Sequence, residues 1–326
     1  MNIHDGRPKG LRSELSAIVR AGAHAHPNRT AVRCGDEILT YGELHARSCR
    51  LANALRALGV GRGERVATLG DNCLQSVEQL SGLACGGYVR AALHTHNTAE
   101  THLYLLNLVE ASALIVQRKY YDALAPRLRE VATLHHVLVV DHPIGGGDID
   151  YETTLAQASS ADPHITLQPD EPHVIRFSAG TTGKPKGILH SVSRWTSVGE
   201  EMAQVMPPQD PTSRYLVAAP LAHAAVLPLW AILGAGGSAV LMSAFDPGQF
   251  LAVVAAQRCT TTLLVPTMIQ LIVDHPSAAA TDVSSLRAVF YGAAPIGERT
   301  LADARALWGD ILYQMYGQSE VPPVSV

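Results

Sequence analysis

Residues 177–190 read FSAGTTGKPKGILH and carry the residue types that bind a chain of phosphates. The segment combines glycines, hydroxyl side chains and lysines: Gly180, Gly183 and Gly187; Ser178, Thr181 and Thr182; Lys184 and Lys186. Glycines let a ligand approach backbone N–H groups closely, hydroxyls donate hydrogen bonds, and lysines supply positive charge. The pattern predicts a polyphosphate-binding loop between an apolar approach and a helix-like continuation.

A Walker A loop is excluded by spacing. That motif requires a glycine, four residues, and then Gly-Lys-Ser/Thr. Here Gly183 and Lys184 are followed by Pro185, and the residue five positions before Gly183 is Ser178. The remaining alternative is a flexible loop without a ligand. It is disfavoured because few surface loops need this many glycines, hydroxyls and lysines at once.

The loop resembles the phosphate-binding motif of the adenylate-forming superfamily, which includes acyl-CoA synthetases, peptide-synthetase adenylation domains and luciferases. It departs from that motif only at Ala179, where serine is commoner. Four further segments resemble motifs of the same family, in the same order: LTYGEL at 39–44, PLAHAAVL at 220–227, YGAAPI at 291–296 and YGQSE at 316–320. Five motifs in order cover nearly the whole chain and make the resemblance specific.

The resemblance implies which residues bind ATP and Mg²⁺. The phosphates would be held by Ser178, Gly180, Thr181, Thr182, Gly183 and Lys186. Adenine and the α-phosphate would be bound by Ala293, Ala294, Pro295, Tyr316, Gly317 and Ser319. Glu320 would bind Mg²⁺, which favours a few carboxylates together with phosphate oxygens. Lys186, His223, Ser319 and Glu320 would be the catalytic groups. The alternatives are a surface carboxylate for Glu320 and a plain core tyrosine for Tyr316.

The resemblance also implies an acyl pocket. Its residues would be His223, Val226, Leu227, Trp230, Tyr291, Gly292 and Tyr316. His223 lies in an apolar run, so a histidine packed in the core is the alternative to a direct role. Residues 221–225 contain no acid, and a substrate α-ammonium would stay unpaired in this apolar setting. The expected substrate is a fatty, aryl or other largely hydrocarbon carboxylic acid.

The reaction implied is AMP-forming acyl activation in two steps. ATP and the acid give acyl-AMP and pyrophosphate, and a thiol, CoA or that of a carrier protein, then displaces AMP. Two alternatives stay open: an enzyme that performs one half-reaction with a partner, and a non-catalytic nucleotide- or acyl-binding module. Relatives continue well beyond the position of Val326, so the chain is expected to lack the C-terminal domain and its lysine.

Composition sets further limits on function. The chain has 326 residues, 47% hydrophobic and 17% charged, with a net charge of −4, so no nucleic-acid partner is indicated. Its five scattered cysteines predict reduced thiols in a cytoplasmic protein. Residues 215–245 lack charge, but prolines and glycines interrupt them, which predicts a strand, a turn, a buried helix and a strand rather than a membrane span. Six paired histidines are interpreted as structural: His24, His26, His94, His96, His135 and His136.

Strand-like and helix-like segments alternate, which predicts parallel sheets with helices on both faces. Strands are predicted at 64–70, 112–117, 136–141, 173–178 and 261–266, with a helix at 41–59, a turn at 142–147 and a connector at 159–172. The resemblance implies an α/β fold with two stacked, mainly parallel sheet subdomains. One would span 61–205 and the other would combine 1–60 with 206–326. The family's barrel would be absent.

Overall fold

The computed structural model describes residues 14–141, 148–178 and 184–320. Its strands are β1 (Thr30–Cys34), β2 (Glu37–Thr40), β3 (Arg65–Leu69), β4 (Val89–Ala92), β5 (Ala113–Gln117), β6 (His136–Val140), β7 (Ile149–Asp150), β8 (Pro172–Ser178), β9 (Lys186–Ser191), β10 (Arg214–Val217), β11 (Ser238–Leu241), β12 (Thr261–Leu264), β13 (Ala288–Gly292) and β14 (Leu312–Met315). Its α-helices are α1 (Leu15–Ala25), α2 (Tyr41–Ala57), α3 (Leu74–Gly86), α4 (Ala99–Leu108), α5 (Arg118–Leu124), α6 (Tyr151–Gln157), α7 (Val192–Val205), α8 (Leu229–Gly234), α9 (Pro247–Gln257), α10 (Pro266–Val273) and α11 (Glu298–Trp308).

The strands form two seven-stranded sheets. Sheet A has the order β14-β13-β12-β10-β11-β1-β2, and sheet B has the order β7-β6-β5-β3-β4-β8-β9. Each sheet is parallel except at one edge, where β1–β2 and β8–β9 pair antiparallel. The predicted α/β fold with two mainly parallel sheets is confirmed.

The inner strands are buried on both faces, as parallel sheets covered by helices require. All four residues of β4 and all four of β12 are buried. The segment 261–266 predicted β12, whereas β4, which contains the buried Arg90, was not predicted. The predicted strands agree with β3, β5, β6, β8 and β12 to within two residues at each end.

Helix α2 begins with a capping box, in which the Thr40 and Glu43 side chains bond each other's backbone N–H groups. The Tyr41 hydroxyl donates to the carbonyl oxygens of Leu233 and Gly237, at 2.9 and 2.7 Å, beside sheet A. Farther along the helix, Leu51 packs in the core of sheet B. One helix therefore ties both sheets together, and its predicted range of 41–59 is confirmed to within two residues.

Two short regions differ from the predictions. The continuation after the phosphate loop is a strand, β9, and helix α7 starts only at Val192, so the predicted helix-like continuation was wrong. Strand β9 lies at the edge of sheet B, where most of its side chains are exposed. Its residues therefore do not show the alternation of buried and exposed side chains that marks a strand. The hairpin β1–β2 was not foreseen, although its Gly35 has the positive φ of +58° that a tight turn needs.

Residues 215–245 fold as predicted, into β10, a short 3₁₀ turn, the buried helix α8 and β11. In the described part of the chain, no helix has the length and apolarity to cross a membrane. Residues 159–171 form neither helix nor strand, as the connector prediction required. The predicted turn at 142–147 lies outside the described residues.

Candidate functional site

The predicted site residues of sheet A follow the carboxyl ends of neighbouring strands. His223 lies beyond β10, the turn 293–295 follows β13, and residues 316–320 follow β14. The carboxyl ends of parallel strands share one edge of a sheet, which is where open α/β sheets bind ligands. Three motifs far apart in sequence therefore lie along one edge of sheet A.

Sheet B contributes the β8–β9 hairpin. Ser178 pairs with Lys186 at the last rung of the ladder, so both ends of the predicted phosphate loop are fixed. Ala179 and the predicted ligands Gly180, Thr181, Thr182 and Gly183 lie outside the described residues. Lys184 and Lys186 are exposed. Tyr104 of α4 supports the loop exit: its hydroxyl donates to the Pro185 carbonyl oxygen at 3.4 Å, and the Lys184 Nζ lies 5.7 Å from its ring centroid.

The two sheets meet near Ser319 and Glu320. The ring Nε2 of His190, on β9, donates to the Ser319 carbonyl oxygen at 2.8 Å. Burial lowers the pKa of Arg176, on β8, and the negative charge of Glu320 partly opposes that change. Nη1 of Arg176 is buried without a hydrogen-bond partner in the described residues. Glu320 is exposed and forms no ion pair with any described residue, so its carboxylate is free to bind a cation.

His223 lies against a second histidine. Its ring centroid is 3.7 Å from that of His94, which follows β4 in sheet B. His223 and His94 lie where the strand ends of the two sheets face each other, and this region is called the cleft below. Although His223 keeps exposed surface there, protein surrounds most of its ring, and this burial lowers its pKa to about 4. Burial and the neighbouring His223 lower the pKa of His94 to about 3. Both rings are therefore neutral at pH 7.

The placement of His94 in the cleft goes beyond its interpretation as a structural residue. The signal was its position, because a polar side chain just after a buried parallel strand lies at the ligand-binding edge of the sheet. The lack of cysteine and carboxylate neighbours in the sequence, on which the structural interpretation rested, carries no such information.

Asn72 was missed by the sequence reasoning. It lies three residues after β3 and is buried, with 5% of its surface exposed. Its Oδ1 accepts from the Leu221 N–H at 2.9 Å, and its Nδ2 donates to the carbonyl oxygens of Ala219 at 3.0 Å and Met242 at 3.2 Å. Asn72 thus fixes the turn that leads to His223 onto the end of sheet B.

The predicted adenine turn has an unusual backbone. Ala293 has a φ of +70°, a conformation that residues with a Cβ rarely adopt. Gly292 precedes it, and a Cβ added there would lie 2.3 Å from the Met315 carbonyl oxygen, so only glycine fits between β13 and β14. Ala293, Ala294 and Pro295 are exposed, and Tyr316 keeps 57% of its surface exposed. A flat face and an open turn thus lie at the ends of adjacent strands.

The predicted acyl-pocket residues are mostly buried in this structure. Val226 and Leu227 are 1% exposed, Trp230 is 2% exposed, and Tyr291 is 5% exposed. The Trp230 ring packs edge-on to Trp195 at 6.0 Å, in the core of sheet A. Burial gives these side chains a packing role, and their contact with an acyl group stays a prediction.

Comparison with known proteins supplies independent evidence. A family model described as AMP-binding enzyme matches residues 19–326. The medium/long-chain-fatty-acid–CoA ligase FadD8 of Mycobacterium tuberculosis is 33% identical over 309 residues, which cover 92% of this chain and 53% of that protein. A feruloyl-CoA synthase from an Amycolatopsis species is 36% identical over 305 residues, which cover 92% of this chain and 58% of that protein.

Among solved structures, the inhibitor-bound N-terminal domain of FACL13 from Mycobacterium tuberculosis aligns with a TM-score of 0.85 and 23% identity. The alignment covers 94% of this chain and 76% of that domain. This likeness concerns the fold. The chain spans a little over half the length of the two curated relatives.

Proposed function

The chain belongs to the AMP-binding enzyme family, and from this premise we propose that it serves AMP-forming acyl activation. The reaction joins a carboxylic acid to ATP, giving acyl-AMP and pyrophosphate. A thiol, CoA or that of a carrier protein, then displaces AMP and yields a thioester. The enzyme class is an acid–thiol ligase of the acyl-CoA synthetase type.

The observation that carries this proposal is the contact between the two sheets beside the phosphate loop. Lys184 and Lys186 are exposed at the loop exit, and Arg176 lies on the strand that leads into the loop. Glu320 is close enough to affect the pKa of Arg176. Basic side chains on both strands of this hairpin, with a carboxylate that interacts with one of them, suit a polyphosphate with its Mg²⁺, because the cations attract phosphate and the carboxylate would bind the metal.

Each group has a proposed role. The loop residues Ser178 to Lys186 hold the β- and γ-phosphates and stabilise the charge of departing pyrophosphate. The Ser319 hydroxyl donates to the α-phosphate, and Glu320 would hold Mg²⁺, which would neutralise phosphate charge. The turn 293–295 and Tyr316 bind adenine between an open backbone and an aromatic face. Lys186, His223, Ser319 and Glu320 are the proposed catalytic groups.

The proposed substrate is a fatty, aryl or other largely hydrocarbon acid. The segment 221–225 beside the cleft has no carboxylate to pair with an α-ammonium. His223 and His94 are neutral at pH 7, so they offer flat, uncharged surfaces to a largely hydrocarbon acyl group. The names of the two relatives, a fatty-acid ligase and a feruloyl-CoA synthase, both denote acids with large apolar parts.

We also propose the division into 61–205 and a second unit of 1–60 with 206–326. It is supported by the strand membership of the two sheets, since β3 to β9 all lie in the first range. A cytoplasmic location is supported by the five free cysteines, which a reducing compartment maintains.

A binding experiment tests the proposed function. Calorimetry on the 326-residue chain should show that a non-hydrolysable acyl-adenylate with a long-chain or aryl acyl group binds more tightly than AMP. A matched analogue with an aminoacyl group should bind at least tenfold more weakly than the apolar one. Pyrophosphate exchange with a panel of acids then measures the first half-reaction. Failure of every adenylate to bind would overturn the proposal, and exchange would show that these 326 residues suffice for the first half-reaction.

A further inference from the structure

A second cluster of reactive side chains lies on elements other than those of the cleft. His45 and Cys49 are one turn apart on α2, and Asp162 belongs to the connector between α6 and β8. Nε2 of His45 lies 3.8 Å from the Cys49 Sγ and 3.4 Å from an Asp162 carboxylate oxygen. One ligand atom from each of the three residues lies within 4.8 Å of the other two.

Two of the three separations are close to those of a tetrahedral zinc site, and the third, between the Cys49 thiol and the Asp162 carboxylate, is at most 4.8 Å. Zinc bonds to sulfur at about 2.3 Å, and to nitrogen and oxygen at about 2.0–2.2 Å, so neighbouring ligand atoms lie roughly 3.3–3.6 Å apart. The observed distances of 3.4 and 3.8 Å differ from that range by no more than a few tenths of an ångström. Imidazole, thiolate and carboxylate together favour zinc over Mg²⁺ or Ca²⁺, which prefer oxygen ligands alone.

The carboxylate is held in position from outside. Arg20 of α1 forms an ion pair with Asp162 and donates through Nε to Oδ2 at 2.5 Å and through Nη2 to Oδ1 at 3.1 Å. The His164 backbone N–H donates to Oδ1 at 2.7 Å. The connector itself is fixed to α2 by Asn53, whose Nδ2 donates to the Ser159 and Ala161 carbonyl oxygens at 2.8 Å each. Such outer contacts orient metal ligands before an ion binds.

The thiol is suited to metal binding as well. Cys49 is fully buried and contacts Cys85 of α3. A metal would bind Cys49 as its thiolate, so zinc binding would release a proton.

We propose that His45, Cys49 and Asp162 form a three-residue zinc-binding site that joins helix α2 to the connector before β8. The site is separate from the proposed acyl-activating function. Zinc would stabilise the connector against α2 and leave the cleft chemistry unchanged.

A titration with a chromophoric zinc chelator tests this proposal on the reduced 326-residue chain. We expect one equivalent of Zn²⁺ to bind, and Cys49→Ala and His45→Ala each to weaken binding at least a hundredfold. Cys259→Ala is the matched control, because Cys259 is also fully buried but lies outside the cluster. Co²⁺ should give a thiolate-to-metal absorption band that Cys49→Ala removes and Cys259→Ala keeps.

Asp162→Asn is a second variant in case Cys49→Ala or His45→Ala does not fold. It keeps the side-chain volume and should weaken Zn²⁺ binding at least tenfold. Circular dichroism checks the fold of each variant. Absence of stoichiometric zinc, or binding that Cys49→Ala and Asp162→Asn leave unchanged, would overturn the proposal. So would a reduced chain that binds no zinc but forms a Cys49–Cys85 disulfide on mild oxidation, since the cluster would then be a redox pair.

Discussion

Two buried asparagines each bind the backbone of a distant loop, and each of these loops lies against a histidine with different neighbours. Asn72 fixes the turn at 219–221 and so places His223 against His94. Asn53 fixes the connector at 159–161 and so places Asp162 beside His45. The same device, a side-chain amide bonded to the backbone of a distant loop, builds both the cleft and the proposed zinc cluster.

The neighbours of each histidine decide its chemistry. Burial, with smaller effects from Arg176 and other histidines nearby, makes protonation of the cleft pair unfavourable, so the rings stay neutral. His45 has a carboxylate and a thiol as neighbours, which are groups that share a cation. The position of a histidine in the sequence therefore does not predict its protonation or its ligands until the loop packed against it is known. The predictions below test whether the two regions act independently.

The largest effect is expected from Gly292→Ala. The added Cβ would lie 2.3 Å from the Met315 carbonyl oxygen and would force β13 and β14 apart. Overpacking of this kind costs about 1–3 kcal/mol, and the motif at 316–320 would shift with β14. Calorimetry should show loss of adenylate binding, and thermal unfolding should show a lower melting temperature, while zinc affinity stays within twofold.

Gly297→Ala is the control for this change. A Cβ at Gly297 would have the Thr300 Oγ1 at 3.8 Å as its nearest neighbour, an ordinary contact. We expect its adenylate affinity to match that of the unaltered chain. Unchanged adenylate binding in Gly292→Ala would mean that the turn after β13 does not form part of the site.

The second prediction replaces each of the two asparagines with alanine in turn. Asn72→Ala leaves the buried Leu221 N–H without its partner, at a cost of about 1–3 kcal/mol, so adenylate affinity should fall ten- to a hundredfold. Asn53→Ala should weaken zinc about tenfold and leave adenylate affinity within twofold. Each variant is the control for the other in paired titrations. If either variant lost both adenylate binding and zinc binding, the two regions would be coupled.

The sequence predicted the parallel sheets and the cleft motifs because both are local signals. Apolar runs such as residues 112–117 and a glycine-rich loop can be read within ten residues. Asn72, His94 and Asp162 could not be found in this way, because each acts on a residue at least 113 positions away in the chain. The predicted burial of the helix within residues 215–245 is confirmed, whereas the role of residues 226–230 as a pocket wall stays a prediction, since hydrophobicity alone does not separate a core from a pocket wall.

The third prediction compares two lysines of the hairpin. Lys186 pairs with Ser178 at the base of the loop, whereas Lys184 lies over the Tyr104 ring. Lys186→Ala should lower ATP affinity about tenfold, equivalent to about 1.4 kcal/mol, without changing the melting temperature. Lys184→Ala should lower it less, about threefold, because part of its charge already interacts with an aromatic face. Equal effects in calorimetry would show that only total charge matters.

The smallest effect concerns pH. Burial lowers the pKa of His94 to about 3 and that of His223 to about 4, both below the ordinary value of about 6.5. Between about pH 6.5 and 4 the unfolded chain binds protons that the folded chain does not, so acidification favours unfolding in this window. With EDTA present to exclude zinc, the melting temperature should fall by a few degrees from pH 7 to pH 5. The double variant His94→Gln/His223→Gln should show a smaller fall. If the melting temperature of the double variant falls as much as that of the unaltered chain, the cleft histidines are not the groups that resist protonation in the folded state. The cleft pair and His45 would then not differ in the way that their neighbours imply.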